Sequence, residues 1–446
     1  MSKLMRSVSG VRGIVGETLT PPVILAHVRA FLEVTGAKLV VLGRDSRPTG
    51  EAIVQFVAAA CRLSGASVLD VGVATTPSVE LFVKHYGAEA GIIVTASHNP
   101  LEWNALKFLN AEGLFLGPEE AQRIFALADS GCFSFPGYRF VGGYSVPPGA
   151  EAVHIEKTLA LSVVDVPKIR SKNFKVAIDA VNGAGSSIVP KLLEELGCEV
   201  VRVNCEPDGT FPRGPEPLPD NLAMLGTAVR ENSCAVGFAL DPDADRCAIV
   251  DGFGTPIGEE YTLAIAAEQV ISKKPGPACI NLSTSRMVED VCERFGVGCS
   301  RAKVGEINVS LQMMKTGCVV GGEGNGGVIL PELHYGRDSL VAAALVLAWM
   351  AEHGGGPELF VKTHPAYSML KRKFELGAKP VAEILPAVRL AFEGYEANEV
   401  DGLWLGKGKA WVHVRASNTE PVIRVISEAP SRNEAEALCR KVEELL

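Results

Sequence analysis

Short apolar runs alternate along the chain with polar or glycine-bearing loops and with longer stretches of helical apolar spacing. The runs "KLVVLG", "SVLDVGV" and "AGIIV" come first. "KVAID", "CEVVRV" and "CAVGFAL" follow, then "ACINL", "VGCSRA" and "CVVGG". In each set a strand, a helix, a second strand, a further helix and a third strand are expected. Strands alternating with helices predict α/β units with mixed, largely parallel sheets. A pattern repeated at this length predicts three related α/β domains.

After the apolar run Leu340 to Ala351 the pattern changes. "GLWLGKGKAWVHVRASNTEPVIRVISEA" reads as paired strands around a loop, and Arg432 to Leu446 as a closing helix. This predicts a smaller α+β domain at the C-terminus. Pro- and Gly-bearing stretches at "GGYSVPPGAE" and "VDGFGTPIGEE" are candidate linkers. The expected domains are residues 1–148, 149–252, 253–367 and 368–446. In open α/β sheets the chemistry gathers outside the carboxyl ends of the strands. The third strand of each set ends in a loop of reactive residue types, so the three loops are expected to share one central cleft.

Composition narrows the class. With 47% hydrophobic and 21% charged residues among 446, this is an ordinary globular chain. A net charge of −9 argues against nucleic-acid binding but leaves room for phosphorylated substrates held by local arginines. The eleven cysteines are scattered without a C-x-x-C pair, which predicts reduced thiols in a cytoplasmic protein. No apolar leader is read at the N-terminus. The longest apolar run is too short to span a bilayer, so no membrane partner is expected.

The first of the three loops is "TASHNP", where an apolar strand delivers Ser97 and His98 into a tight turn. Nucleophile, phosphate carrier, metal ligand and plain turn residue are all open for Ser97 at this point. The second is "DPDADR", with Asp241, Asp243 and Asp245 at alternate positions. Three carboxylates so close repel unless a cation neutralises them, and hard oxygen ligands suit Mg²⁺ or Ca²⁺. An EF-hand is excluded, because Arg246 and Gly252 stand where that loop needs Gly and Glu. Arg246 could hold an anion beside the metal; a solvated acidic turn is the alternative.

The third loop, "GGEGNGG", contains G-x-G-x-x-G, but "VILP" follows where a dinucleotide site needs a helix. Its glycines allow close backbone approach to a ligand, while Glu323 and Asn325 suit neighbouring sugar hydroxyls. In the last domain "RASNTEPVIRV" carries Arg415, Ser417, Asn418, Thr419 and Arg424. Hydroxyls, an amide and guanidinium groups suit a dianionic phosphate; a polar hairpin loop is the alternative. Arg12, between glycines, is either part of a mobile arm or a cation aimed at a phosphoryl group. Lys107 follows the serine loop and is either a surface lysine or a part of the site. His334 in "ELHYGRD" is either structural or a general acid/base.

With these loops in hand, the sequence resembles the α-D-phosphohexomutase superfamily. The resemblance rests on "TASHNP", "DPDADR", "GEGNG" and "RASNTEP", which occur in the family's order. "EWNALKF", "KVGEIN" and "GEGNGGVILPELHYGRD" look like the branch of archaeal-type phosphoglucosamine mutases. The resemblance implies four domains around a central cleft and a resting enzyme phosphorylated on Ser97. It implies Mg²⁺ on Asp241, Asp243, Asp245 and a phosphoserine oxygen. Arg12, His98, Lys107 and Arg246 would line the transfer site, with Lys107 and His334 as proton-handling candidates. Glu323 and Asn325 would hold the sugar, Lys303 and the rest of "KVGE" would touch it, and Arg415 to Thr419 with Arg424 would grip the other phosphate. The implied reaction interconverts hexose 6-phosphate and hexose 1-phosphate through a hexose 1,6-bisphosphate, in a monomer or homodimer. Glucosamine 6-phosphate is the expected sugar. The alternatives are a phosphoglucomutase/phosphomannomutase of mixed specificity and, more remotely, a metal-dependent sugar phosphatase.

Overall fold

The computed structural model describes residues 4–375, 381–416 and 422–446. Among them the strands form four sheets in succession along the chain. The first three share one arrangement. In the first, Leu39–Arg44 pairs parallel with Ser67–Val73 on one side and Ala90–Val94 on the other, and Trp103–Leu109 returns antiparallel to Ala90–Val94. In the second, Lys175–Asp179 lies between Glu199–Val203 and Val236–Leu240, and Cys247–Asp251 returns antiparallel. In the third, Ala278–Asn281 lies between Cys299–Ala302 and Val320–Glu323, with Gly327–Ile329 antiparallel.

This topology positions the chemistry. The serine, aspartate and glycine-rich loops each close the hairpin between the third parallel strand and its antiparallel partner. The strands that feed them are central, so both faces are covered. Ala90–Val94 and Val236–Leu240 are buried at every residue, which is why they read as unbroken apolar runs instead of alternating ones.

The apolar run after residue 339 forms the helix Ser339–His353. It is buried on every side and joins the second and third sheets in one core with Ile178, Phe238, Ile280 and Val320. A helix apolar all round has to be enclosed, and at about 1.5–3 kcal/mol for each buried leucine or valine this contact outweighs any polar link between the two domains. No helix among the described residues is long and apolar enough to cross a membrane. All eleven cysteines are free thiols.

The last sheet has five antiparallel strands, in the order Ser368–Glu375, Val422–Ala429, Ala410–Ala416, Leu403–Lys407 and Glu396–Asn398. Helices Val381–Ala391 and Arg432–Glu443 accompany it. Its attachment to the third domain is largely polar. Ser283 meets His413 at 2.9 Å, the Val304 N–H donates to Asp401 at 3.1 Å, and Lys409 donates to Asp290 at 2.5 Å.

Candidate active site

The serine loop is held in a conformation that an unconstrained chain avoids. Ser97 has φ +49°, a left-handed backbone that costs a residue with a Cβ roughly 1–2 kcal/mol. Its N–H donates to Thr95 Oγ1 at 3.0 Å and its hydroxyl donates to Asp241 Oδ2 at 3.1 Å. Net contributions of about 0.5–1.5 kcal/mol per hydrogen bond offset part of the strain. The outcome is a hydroxyl oxygen from the first domain set against the aspartate loop of the second.

His98 Nδ1 lies 3.3 Å from the Ser97 hydroxyl. Burial, then the cations Arg246 and Arg12, push its imidazole down to about 2. It is therefore neutral here and serves as a hydrogen-bonding neighbour. Arg12, on strand Gly10–Ile14, donates to Asn99 Oδ1 at 2.5 Å, so both cation and serine belong to one loop assembly.

Asp241, Asp243 and Asp245 are wholly buried, and each offers a carboxylate oxygen within 4.8 Å of the others. Lys107 Nζ donates to Asp243 Oδ2 at 2.6 Å and Thr76 Oγ1 donates to the same oxygen at 2.7 Å. Against the upward push of burial, these two partners hold Asp243 below its ordinary value. Burial and then the other two aspartates drive Asp241 well above its own. Asp243 Oδ1 and Asp245 Oδ1 are buried acceptors without a hydrogen-bond partner. Buried polar atoms are normally paired. Unmatched carboxylate oxygens beside a raised third carboxyl are what a hard divalent cation satisfies. The donor set fits the expected metal.

Arg337 joins the loops together. Its guanidinium donates to Asp245, to Glu306 at 3.0 Å and to Glu323 at 2.6 Å. One buried cation thus ties the aspartate loop, the "KVGE" loop and the glycine-rich loop. Gly327 permits this, because a Cβ there would lie 2.3 Å from Arg337 Cδ. Glu323 also accepts from Asn281 Nδ2 and from the Gly305 N–H, both at 2.8 Å. Glu306 is buried and accepts from Arg337. Lys303 of the same loop is exposed.

His334 occupies a second layer. Its Nε2 lies 2.9 Å from Asp338 Oδ2, and its Nδ1 accepts from the Gly336 N–H at 3.0 Å. The same Asp338 oxygen meets His154 Nε2 at 2.8 Å. Both ring nitrogens of His334 are engaged, whereas Lys107 reaches the aspartate loop directly.

A cleft of about 390 Å³ runs past these loops, lined by His98, Glu216, Asn325, Lys371, Lys373 and Arg424 among others. These residues come from all four sheet regions. Arg246 Nη1 donates to Glu216 Oε1 at 2.7 Å on the cleft's second-domain side. In the last sheet Lys373, Arg424 and Arg415 stand directly opposite one another on three neighbouring strands. Directly paired residues share a face, and like charges so placed repel. A face with three cations suits a dianionic group. Arg415 Nε is 3.6 Å from Asp401 Oδ1. Ser417, Asn418 and Thr419 lie outside the described residues.

Comparison with known proteins fits this geometry. Profiles of the phosphoglucomutase/phosphomannomutase alpha/beta/alpha domains I, II and III match residues 3–134, 152–254 and 258–367, and the C-terminal domain profile matches 369–445. The chain belongs to the phosphoglucomutase/phosphomannomutase family. A Methanopyrus kandleri protein named Probable phosphoglucosamine mutase is 34% identical over 96% of this chain and 95% of its own. A Thermococcus kodakarensis protein named Phosphoglucomutase/phosphomannomutase is 35% identical over 96% and 94%. The crystal structure of a phosphoglucomutase/phosphomannomutase family protein from Burkholderia thailandensis superposes with a TM-score of 0.86, at 26% identity, over 99% of this chain and 98% of that one.

As a phosphoglucomutase/phosphomannomutase family member the protein is an intramolecular phosphotransferase, a phosphohexomutase acting on hexose phosphates. Its loops are legible in the sequence, whereas several side chains that connect them are not legible as site residues. Lys373 was legible as one of two cations at alternate positions in "LKRKF", which puts them on one strand face. Glu216 sits in the proline-rich "PRGPEPLPD" and offered no signal beyond a loop. Arg337 was visible only as a neighbour of His334.

Proposed function

We propose that this phosphohexomutase interconverts glucosamine 6-phosphate and glucosamine 1-phosphate through a phosphoserine at Ser97 and a hexose 1,6-bisphosphate. The carrying observation is the Ser97 hydroxyl at 3.1 Å from Asp241, beside the unmatched oxygens of Asp243 and Asp245. Asp241, Asp243, Asp245 and an oxygen on Ser97 would hold Mg²⁺, which would supply charge neutralisation at the transferring phosphoryl group.

The chain's own residues do the rest. Arg12 and Arg246 bind the phosphoryl oxygens, and neutral His98 donates a hydrogen bond beside them. Lys107 handles the proton of the sugar hydroxyl that attacks or leaves. His334 holds Asp338 and the loop around it in place. Glu323 and Asn325 take the sugar's 3- and 4-hydroxyls, while Lys303 meets the sugar from the "KVGE" side. Arg415, Ser417, Asn418, Thr419 and Arg424 hold the phosphate that is not transferred. Because either end of the bisphosphate must face Ser97 in turn, a distal grip indifferent to sugar orientation suits the cycle. The bisphosphate serves as both intermediate and activator.

Similarity to a relative named for phosphoglucosamine supports the amino sugar. Comparable similarity to the Thermococcus protein supports a second reading, mixed glucose and mannose specificity. The deciding experiment compares kcat/KM for the 6-phosphates of glucosamine, glucose, mannose and N-acetylglucosamine. Glucosamine 6-phosphate is expected to lead by at least about tenfold, roughly 1.4 kcal/mol of transition-state discrimination. Equal values for glucose and mannose would favour the second reading. Release of free phosphate without isomerisation would remove the mutase cycle.

A further inference from the structure

The sequence "GRDSRPTG", at the end of strand Leu39–Arg44, has no role in the chemistry described so far. Its second arginine is among the largest fully buried side chains of the molecule, with 0% exposure. A guanidinium carries five N–H donors in a fixed plane, and Arg47 uses them all. Nη2 donates to the carbonyls of Ser97 at 2.7 Å and Asn99 at 2.6 Å. Nη1 donates to those of Pro100 at 2.7 Å and Trp103 at 3.2 Å. Nε donates to Asp45 Oδ2 at 3.1 Å.

Asp45 completes the arrangement. Its Oδ1 accepts the Arg47 N–H at 3.0 Å, and its Oδ2 accepts the Thr95 hydroxyl at 2.6 Å. That hydroxyl in turn accepts the Ser97 N–H. The peptide groups on both sides of Ser97 are therefore fixed by one buried ion pair, on the residue whose φ is +49°. The clamp also reaches the second domain. Phe211 packs its ring face 4.9 Å from the Arg47 guanidinium carbon, and Ser46 Oγ donates to the Asn182 carbonyl at 2.7 Å.

We infer that Arg47 is a positioning residue for phosphoryl transfer: it holds the Ser97 loop in its strained form and registers it against the second domain's aspartate loop. A lysine in its place has three donors on a flexible stem and cannot span four carbonyls in one plane. An error of about 1 Å in a reacting oxygen can cost on the order of 10²-fold in rate. The inference rests on Ser97 being the phosphoryl carrier.

The test uses the full chain with Arg47→Lys. Hydrogen exchange by mass spectrometry should show amides within 95–104 exchanging at least about tenfold faster, with the strands of the third domain unchanged. Kinetics on whichever of glucosamine 6-phosphate and glucose 1-phosphate the wild type turns over faster should show kcat down about 100-fold and KM within about threefold. Loss of a merely stabilising arginine would lower the melting temperature and leave kcat alone. Unchanged exchange in 95–104, or kcat within twofold of wild type, overturns the inference. If Arg47→Lys does not fold, Phe211→Leu decides. A fall in kcat of about three- to tenfold at unchanged KM supports the clamp, and wild-type kcat overturns it. Intact mass of the wild type after glucose 1,6-bisphosphate separates the two readings. No added phosphate would sink the carrier role of Ser97, while the exchange result would still decide whether Arg47 clamps the loop.

Discussion

Ser97 and Asp241, 144 positions apart in the chain, share a hydrogen bond of 3.1 Å across the boundary between the first two sheets. The contact brings a hydroxyl to the edge of three buried carboxylates, two of which hold unmatched oxygens. Ser97→Ala removes the proposed carrier and leaves that acidic cluster intact. Turnover should fall below about 10⁻³ of wild type, with an unchanged circular dichroism spectrum. Intact mass should show phosphate on the wild type alone. Retained activity would refute the assigned role.

Removal of divalent metal follows from the same cluster. Chelation by EDTA should abolish turnover, and Mg²⁺ should restore it. The melting temperature should rise with added Mg²⁺ in the wild type, since a ligand that binds only the folded state stabilises it. Asp243→Asn and Asp245→Asn should each lose most of that rise. A metal-independent melting curve in the wild type would remove the aspartate loop as the site.

Arg337 pairs with three separated carboxylates at once, those of Asp245, Glu306 and Glu323. Arg337→Met leaves these charges buried and unbalanced. Breaking such a pair costs about 3–5 kcal/mol, so the variant should melt well below wild type and lose activity. Calorimetry checks the first point. An unaltered melting temperature would show that the network relaxes without it.

The cation row in the last sheet predicts a binding effect. Lys373→Ala should raise KM about three- to tenfold with kcat nearly unchanged, because the lost contact serves both ground and transition states. Arg415→Ala should do the same more strongly, since a guanidinium can hold phosphate oxygens in pairs. Steady-state kinetics at fixed ionic strength measures both. A fall in kcat alone would place these residues elsewhere in the cycle.

Glu260 predicts a pH effect. It lies under the glycine-rich loop, where a Cβ on Gly324 would sit 1.8 Å from its Oε2. Burial, opposed by Lys371, pushes its carboxyl from 4.5 up to about 8. Between those values the folded state binds a proton that the unfolded state has released. The contribution is therefore fully present below about pH 4.5 and is lost as pH rises through about 8. The apparent melting temperature should fall from pH 6 to 9, and Glu260→Gln should flatten that fall. Parallel wild-type and Glu260→Gln curves would refute the assignment.

The repeating unit and the ends of its strands are legible in the amino-acid pattern alone. Central strands such as Ala90–Val94 are covered on both faces, so they appear as apolar runs, and the polar residues that end them stand out. The order of the serine, aspartate and glycine-rich loops was readable for that reason, as was the enclosed helix Ser339–His353. Residue types at close spacing, such as Asp241, Asp243 and Asp245, announced their chemistry through local repulsion alone.

Which side chains connect those loops emerges from the folded chain. Arg47 reaches carbonyls 50 or more positions away, Arg337 reaches Asp245 across 92, and Lys373 faces Arg424 through strand register. None of these contacts follows from a local pattern, because a buried arginine far from its partners in sequence looks like any other. The neutral state of His98 and the engaged nitrogens of His334 were equally beyond reach. Both depend on burial and on charges brought in from other domains, which local sequence does not encode.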